Sequence, residues 1–191
     1  AARVTARGAA GAPGLLPGDR ALERVAALGP PVAPARLARD IDEIEALATE
    51  VGYPLVLKLL HPALPHKSDL GGVVLDVTSG AEARQRAAGL WELAASLAPD
   101  QPPEGVLLQR LKRGFREGFL GGRRDPSFGP VVLVGLGGVL VEVFQDVAIR
   151  LAPLAAADLD ELLAEPVSFK ALRGARNVPP GDLPWLRVVP S

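Results

Sequence analysis

Cysteine and methionine are both absent from the 191 residues. The lack of cysteine removes disulfides, thiolate nucleophiles and cysteine-ligated zinc, and it is compatible with an intracellular setting. Positive charge is not in excess either. Lys plus Arg total 21 against 22 Asp plus Glu, for a net charge of -1, so the basic footprint of a nucleic-acid binder or of a polybasic membrane segment is missing. Nor does any apolar run reach the roughly 20 residues needed to span a bilayer. The longest, PVVLVGLGGVLVEV at residues 130–143, is interrupted by Glu142 and reads as a buried hairpin. The opening AARVTARG carries no initiator and no continuous apolar centre of a secretory signal. We therefore expect a processed or excised segment whose residues 1–14 are a linker or a frayed start.

What is present is enough for one sizeable core or two small lobes sharing a cleft, since 48% of the residues are apolar. GDRALERVAALG reads as a short helix with Asp19 as cap, Leu22, Val25, Ala26 and Leu28 at helical spacing, and Gly29 as stop. PPVAPARLA is extended. DIDEIEALATEVG predicts a second capped helix with Ile41, Ile44, Leu47 and Val51 on one face and Gly52 at its end. YPLVLKLL is an apolar strand, the polar loop around HKSD comes next, and GVVLDVTSG is another strand. GAEARQRAAGLWELAASLA is helical up to the breaker PDQPPEG, after which GVLLQRL begins a further strand. FREGFLGGRRDPSFGPVVLVGLGGVLVEVF reads as strands broken by glycine turns, DVAIRLAP as one more, and AAADLDELLAE as a helix capped near Asp158. The four-proline tail at 179–191 is irregular. No internal repeat and no low-complexity domain is visible.

Chemistry concentrates in PLVLKLLHPALPHKSDLGGVVLDV. Lys58 ends an otherwise apolar strand, where an ammonium is costly to bury without an anionic partner. Eight residues on, the loop offers His66, Lys67, the Ser68 hydroxyl and the backbone of Gly71 and Gly72, whose amides can approach an oxyanion closely. A phosphate site is one reading. The other is that Lys58 extends its ammonium to solvent and the loop is an ordinary hairpin connection with glycines for positive φ. LLQRLKRGFRE is a third element: a strand exit can pair with an adenine edge and Glu117 can accept from ribose hydroxyls, or the stretch is a solvated surface turn. Arg123, Arg124 and Asp125 either line a phosphate cleft or fix a turn. Glu142 and Asp146 either face a site or cap the hairpin, and neither is assigned as a metal ligand. His61, at the strand exit before Pro62, reads as structural.

Taken together, Lys58 on its strand, HKSDLGG, GVLLQRL, RRDPSFGPVVLVGLGG and VEVFQDVAIRLAPL closely resemble the ATP-grasp domain of nucleoside-diphosphate-forming acyl-CoA synthetases, over about residues 15–174. That family includes the ADP-forming acetate–CoA ligase β subunit and is related to the succinyl-CoA synthetase β subunit. The resemblance implies an α/β (α+β) chain with the ATP-grasp fold: two small lobes of mainly antiparallel sheets and helices around a nucleotide cleft. The N-terminal lobe would occupy 15–110 and a partial C-terminal lobe 111–178.

By the same resemblance, Lys58 contacts the phosphates of ATP or ADP, and Ser68, Gly71 and Gly72 lie in the phosphate-covering loop. Gln109, Arg110, Leu111 and Lys112 form the hinge bordering the adenine, and Glu117 binds the ribose. Arg110 departs from the acidic residue often found there in other ATP-grasp enzymes. His66 matches the histidine that takes a phosphoryl group in relay between an acyl phosphate and the nucleotide. A neutral imidazole is a competent nucleophile, and Lys67 beside it would offset the incoming charge.

The family's aspartate–isoleucine–asparagine–proline type motif and later strand aspartate, which hold Mg2+, are not found in the sequence, so the chain alone is expected to be inactive and C-terminally truncated. The implied partner is a CoA-binding and ligase α subunit or a fused equivalent domain, in a homo- or hetero-oligomer, in the cytoplasm, with no nucleic acid and no membrane. A non-catalytic nucleotide or acyl-CoA sensing domain, as in a fused protein acetyltransferase, is the alternative.

Overall fold

A computed structural model of the chain describes residues 16–64, 70–113, 117–137 and 146–169. The chain divides into two compact units after Arg113. The expected N-terminal linker, most of the HKSD loop and the proline-rich tail lie outside the described residues.

In the N-terminal unit a four-stranded antiparallel sheet has the order β1-β4-β2-β3. Its strands are β1 (Ala35–Ala38), β2 (Leu55–Leu60), β3 (Val73–Val77) and β4 (Gly105–Arg110). The extended stretch after the prolines thus ends in a paired strand, β1, on the edge beside β4. Helix α2 (Ile44–Val51) is entered through a single 3-10 turn, Ile41–Glu43. Asp40 caps that turn by accepting from Asp42 N, and Glu43 accepts from the Asp40 amide in return, so orphan donors at the start are satisfied from both sides. Gly52 ends α2 at φ 80, a left-handed conformation in which a side chain would be strained.

The longest helix, α3 (Gly80–Leu97), is capped by Ser79, whose hydroxyl accepts from Glu82 N at 3.2 Å. Its Ala83, Ala87, Leu90 and Ala94 recur three or four residues apart and are buried. Those side chains meet Ile44, Ala48 and Val51 of α2 and the alternate strand residues Leu55, Leu57, Leu59, Val106, Leu108 and Val77 in one core. Strand alternation puts Val56, Lys58 and Leu60 on the opposite face.

Helix α1 (Gly18–Ala27) departs from expectation in two ways. Pro17, not Asp19, is its N-cap, and no side chain bonds the orphan amides; Asp19 falls inside the first turn. None of its residues is buried. Its start nevertheless covers part of the second sheet face, since a Cβ added to Gly18 would lie 3.2 Å from Leu60 Cδ2 and 3.7 Å from Leu107 Cδ2.

The C-terminal unit is built on an antiparallel sheet in the order β5 (Gly118–Asp125), β6 (Gly129–Leu136), β7 (Val147–Leu151). Helix α4 (Ala156–Ala164) comes after β7. Its Leu162 and Leu163 close a small core with Val134, Ala148 and Phe169. Asp158 acts as expected at its start, accepting from Ala155 N at 2.8 Å. The first half of the apolar run from residue 130 is β6, which pairs with β5 through the turn at 126–128; the second half, and with it the hairpin expected of the run, lies outside the described residues.

The packing of this core makes a direct prediction. Replacing the fully buried Leu57 by Ala should destabilise the N-terminal unit by about 2–5 kcal/mol, whereas Leu75→Ala, at a site 59% exposed, should change stability by no more than about 0.5 kcal/mol. Urea denaturation of the two variants checks the contrast.

Candidate functional site

Lys58 sits in the middle of β2, opposite Leu107 of β4 and Val73 of β3. Both neighbours in sequence, Leu57 and Leu59, face the helices, so the lysine side chain emerges on the other face of the sheet. There its ammonium donates to Gln109 Oε1 at 2.8 Å. Gln109 is the register partner of Val56, so the contact is a diagonal one within reach of a long side chain. The amide oxygen is a neutral acceptor for one of the ammonium's three donors. A half-buried ammonium of this kind is suited to an anionic ligand.

The glycine pair lies next to it. Gly72 accepts from Leu59 N at 2.9 Å, which extends the β2–β3 ladder past the Lys58–Val73 pair to the base of the turn. Gly71 adopts φ 78 with open space where a Cβ would be, so the backbone there is accessible to a ligand. His66, Lys67 and Ser68, between Leu64 and this turn, lie outside the described residues.

The structure separates the four hinge residues. Gln109 shares the face of Lys58. Arg110 points the other way: its guanidinium lies against Gly52, where an added Cβ would be 2.5 Å from Nη1. A cation there complements the carbonyl end of α2, which gives this arginine a structural task. The Arg110 amide donates to Pro34 O at 2.8 Å and the Leu111 amide to Pro54 O at 2.9 Å. With those two donors committed, a base edge would be met by the backbone from Lys112 onward. Arg113, the last residue of the unit, pairs with Asp76, which is the one non-glycine with positive φ among the described residues; neither was anticipated from the sequence. Glu117 belongs to the other unit, where its carbonyl accepts from Gly137 N at 2.8 Å and extends the β5–β6 hairpin by one pair.

For Asp125 and Asp146 the open alternatives resolve toward structure. Asp125 accepts from Ser127 N at 2.9 Å and Phe128 N at 3.2 Å, and from Arg123 Nη2 at 2.9 Å, so it shapes the β5–β6 turn. These bonds, that to Ser127 foremost, hold its carboxyl below the usual range. Asp146 accepts from Ser168 N at 2.5 Å and ties the start of β7 to the turn after α4. Its carboxyl is likewise held below the usual range, chiefly by Ser168 and with help from Val167, against an opposing effect of burial. Glu142 lies outside the described residues. Among the described residues no group of three or more His, Asp or Glu side chains is arranged to hold a metal ion.

His61 is settled by its contacts. It is 6% exposed, Nε2 lies 2.9 Å from Gln101 O, and Nδ1 lies 3.1 Å from Ala63 N. A carbonyl only accepts and an amide only donates, so the ring is the neutral Nε2–H tautomer with both nitrogens engaged. This is a structural histidine, as its place at the strand exit indicates. No helix among the described residues is long and apolar enough to cross a membrane.

Comparison with known proteins places these features in a family context. A family model described as the ATP-grasp domain matches residues 9–189. The Archaeoglobus fulgidus acetate–CoA ligase (ADP-forming) I is 39% identical over 173 residues, 89% of this chain and 25% of that protein. The β subunit of the corresponding Pyrococcus furiosus ligase I is 38% identical over 155 residues, 81% of this chain and 67% of the subunit. This chain therefore spans a quarter of the former and two thirds of the latter. Among solved structures, the acetyl-coenzyme A synthetase 1 of Candidatus Korarchaeum cryptofilum, in complex with coenzyme A and Ca-AMPCP, superposes with a TM-score of 0.84 at 36% identity, covering 91% of this chain and 76% of that one. A second structure of that synthetase holds Mg-AMPPCP, with its phosphohistidine segment pointing towards the nucleotide-binding site.

The Asp146 anchor carries a signed pH prediction. Because its carboxyl is held below the ordinary value of 3.8, its contribution is complete above that value and is lost as pH falls through the folded pKa. Asp146→Asn should lower the melting temperature at neutral pH, and the gap from wild type should narrow on acidification below the usual carboxylate range. Thermal melts across that range check the sign; a gap that widens in acid contradicts it.

Proposed function

The chain belongs to the ATP-grasp domain family, and on that premise we propose that it is the nucleotide-handling part of an ADP-forming acyl-CoA synthetase. The observation that carries the reading is the Lys58 ammonium held 2.8 Å from Gln109 Oε1 on the face opposite α2 and α3, with the Gly71–Gly72 turn beside it. A cation and an accessible glycine backbone on one surface suit the oxyanions of ATP or ADP. On this reading Lys58, Ser68, Gly71 and Gly72 hold the phosphates. Gln109, the Lys112 backbone and Glu117 serve the base and ribose, while Leu111 steadies the hinge through its bond to Pro54 O. Arg110 contributes through its backbone alone. The proposed lobes, 15–110 and 111–178, are supported by the division after Arg113.

His66 is the proposed phosphoryl acceptor. Its unprotonated ring nitrogen attacks the terminal phosphorus of ATP in line. The P–N bond forms as the P–O bond to ADP breaks, ADP leaves with that electron pair, and the phosphorylated ring gives up its remaining proton to water. Passing the group from His66 to the carboxylate of an acid then yields an acyl phosphate, which the thiol of CoA opens on a partner component. The names of the archaeal ligases and the phosphohistidine segment of the Korarchaeum synthetase support this assignment.

The described residues supply no ligand set for Mg2+. The partner is a CoA-binding α subunit or a fused equivalent, a reading supported by the occurrence of both subunit and longer single-chain forms among the relatives. A cytoplasmic setting belongs to the proposal, since the reaction draws on CoA and ATP.

Two substitutions test it in the complete synthetase. Lys58→Ala should weaken nucleotide binding at least tenfold by calorimetry, as loss of a charge-assisted contact of about 1.5–3 kcal/mol requires, while circular dichroism stays that of the wild type. His66→Ala should abolish acid-labile protein phosphorylation from radiolabelled ATP. Unchanged affinity moves the phosphate site elsewhere. Full labelling without His66 ends the relay role, and no labelling of the wild type favours a sensing domain.

A further inference from the structure

Lys58 does not bond the residue directly across from it. Its register partner on β4 is Leu107, yet its ammonium donates to Gln109 Oε1 at 2.8 Å, further along β4 in the direction of Leu111 and Lys112. The Gly71–Gly72 turn lies the other way, since Gly72 accepts from Leu59 N and Leu59 stands opposite Val106, nearer the start of β4. Along this face of the sheet the order is therefore the glycine turn, Lys58, Gln109 and the exit of the strand.

The bond also fixes which way round the Gln109 amide stands. An ammonium only donates, so the amide atom that it meets is the oxygen, and the NH2 group is turned away from Lys58. That group carries two donors that call for acceptors. Pairing register and strand alternation put Ala35, Leu37, Val56, Leu60 and Leu107 on the same face, and none of those side chains can accept a hydrogen bond. Gln109 is half-buried among them, with its oxygen engaged by a cation and its nitrogen on the far side from that cation. What it offers a ligand lying between Lys58 and the strand exit is a donor.

We propose that Gln109 is a specificity-determining residue that works by donation: its NH2 group, held in one orientation by Lys58, bonds an acceptor atom of the nucleoside, a ring nitrogen or a ribose oxygen, and does not read the 6-amino group of adenine, which is itself a donor. The proposal rests on the reading of the Lys58 face as the nucleotide site and names the polarity of one of its contacts. Lys58 then has two tasks, to meet the phosphates and to set the facing of the amide next to it.

Two substitutions separate donor from acceptor. Gln109→Glu keeps an oxygen for Lys58 and replaces the NH2 group by a second acceptor, whereas Gln109→Leu keeps much of the shape and removes both. In the complete synthetase, calorimetry with ADP should show affinity weakened about 3- to 10-fold in Gln109→Leu, the loss expected for one hydrogen bond. In Gln109→Glu the loss should be about tenfold or more, because an acceptor then faces an acceptor. Purine riboside diphosphate, which differs from ADP in lacking the 6-amino group, should suffer the same fold losses in both variants. Crossing ligand with variant in this way isolates the contact from general effects on the site.

Wild-type or tighter ADP binding by Gln109→Glu overturns the donor role, since a carboxylate only accepts. Wild-type binding by Gln109→Leu overturns it too, and so does a penalty seen with ADP but not with purine riboside diphosphate, which would put the contact at the amino group. Unchanged ADP affinity in Lys58→Ala overturns the phosphate site and this inference with it, whereas the other three outcomes overturn this inference and leave the Lys58 site in place.

Discussion

A cation in the centre of an apolar strand is the constraint from which the N-terminal unit takes its layout. With Leu57 and Leu59 committed to the core under α2 and α3, Lys58 has one direction left, and the second face of the sheet must offer it a polar partner. Gln109 does so from the neighbouring strand. The pairing requires β2 and β4 to be adjacent although 51 residues separate the two side chains, and α3 crosses over the opposite face to make them so. One face of the sheet is thereby consumed by packing, and the other is the face on which the proposed nucleotide site would lie.

That division also sorts the basic residues. Lys58 and Arg110 both lie on strands at the heart of the unit, yet alternation sends their charges to opposite faces. Lys58 keeps its ammonium beside the Gly71–Gly72 turn, while Arg110 commits its guanidinium to the end of α2, where Gly52 leaves space for it. The histidines divide in a similar way. His61 is immobilised in a neutral tautomer by two backbone groups, a state that leaves no nitrogen for chemistry. His66, a few residues on, is the one with a role to receive a phosphoryl group in the proposed relay.

Much of this was legible in the sequence, and the reasons differ by element. The alanine-rich spacing of α3 and the Asp40 and Asp158 starts announce themselves because capping needs a particular side chain at a particular offset. The ATP-grasp fold was legible from ordered motifs rather than from periodicity. Helix α1 misled because Asp19 is a good capping residue standing one position past Gly18, and Pro17 can occupy the cap with no side-chain bond at all. The turn before Pro130 is built by Asp125, and apolar continuity alone does not say which neighbour a strand takes. In β2 nearly every residue is apolar, so alternation alone left the facing of Lys58 open until its partner was seen. The Gln101 contact had no sequence signal, since the group that His61 recognises is a backbone carbonyl and any residue could supply it.

Nucleotide phosphates, on the proposed reading, are met on the face of the sheet that carries Lys58 and Gln109, not on the face of α2 and Arg110. Side-chain NMR during titration with a non-hydrolysable ATP analogue tests this most directly. The Lys58 Nζ resonance and the Gln109 side-chain amide are predicted to shift together with the Gly71 and Gly72 backbone amides, while the Arg110 guanidinium and Gly52 amide stay in place. Shifts concentrated at Arg110 and Gly52, with Lys58 and Gln109 unmoved, would contradict it.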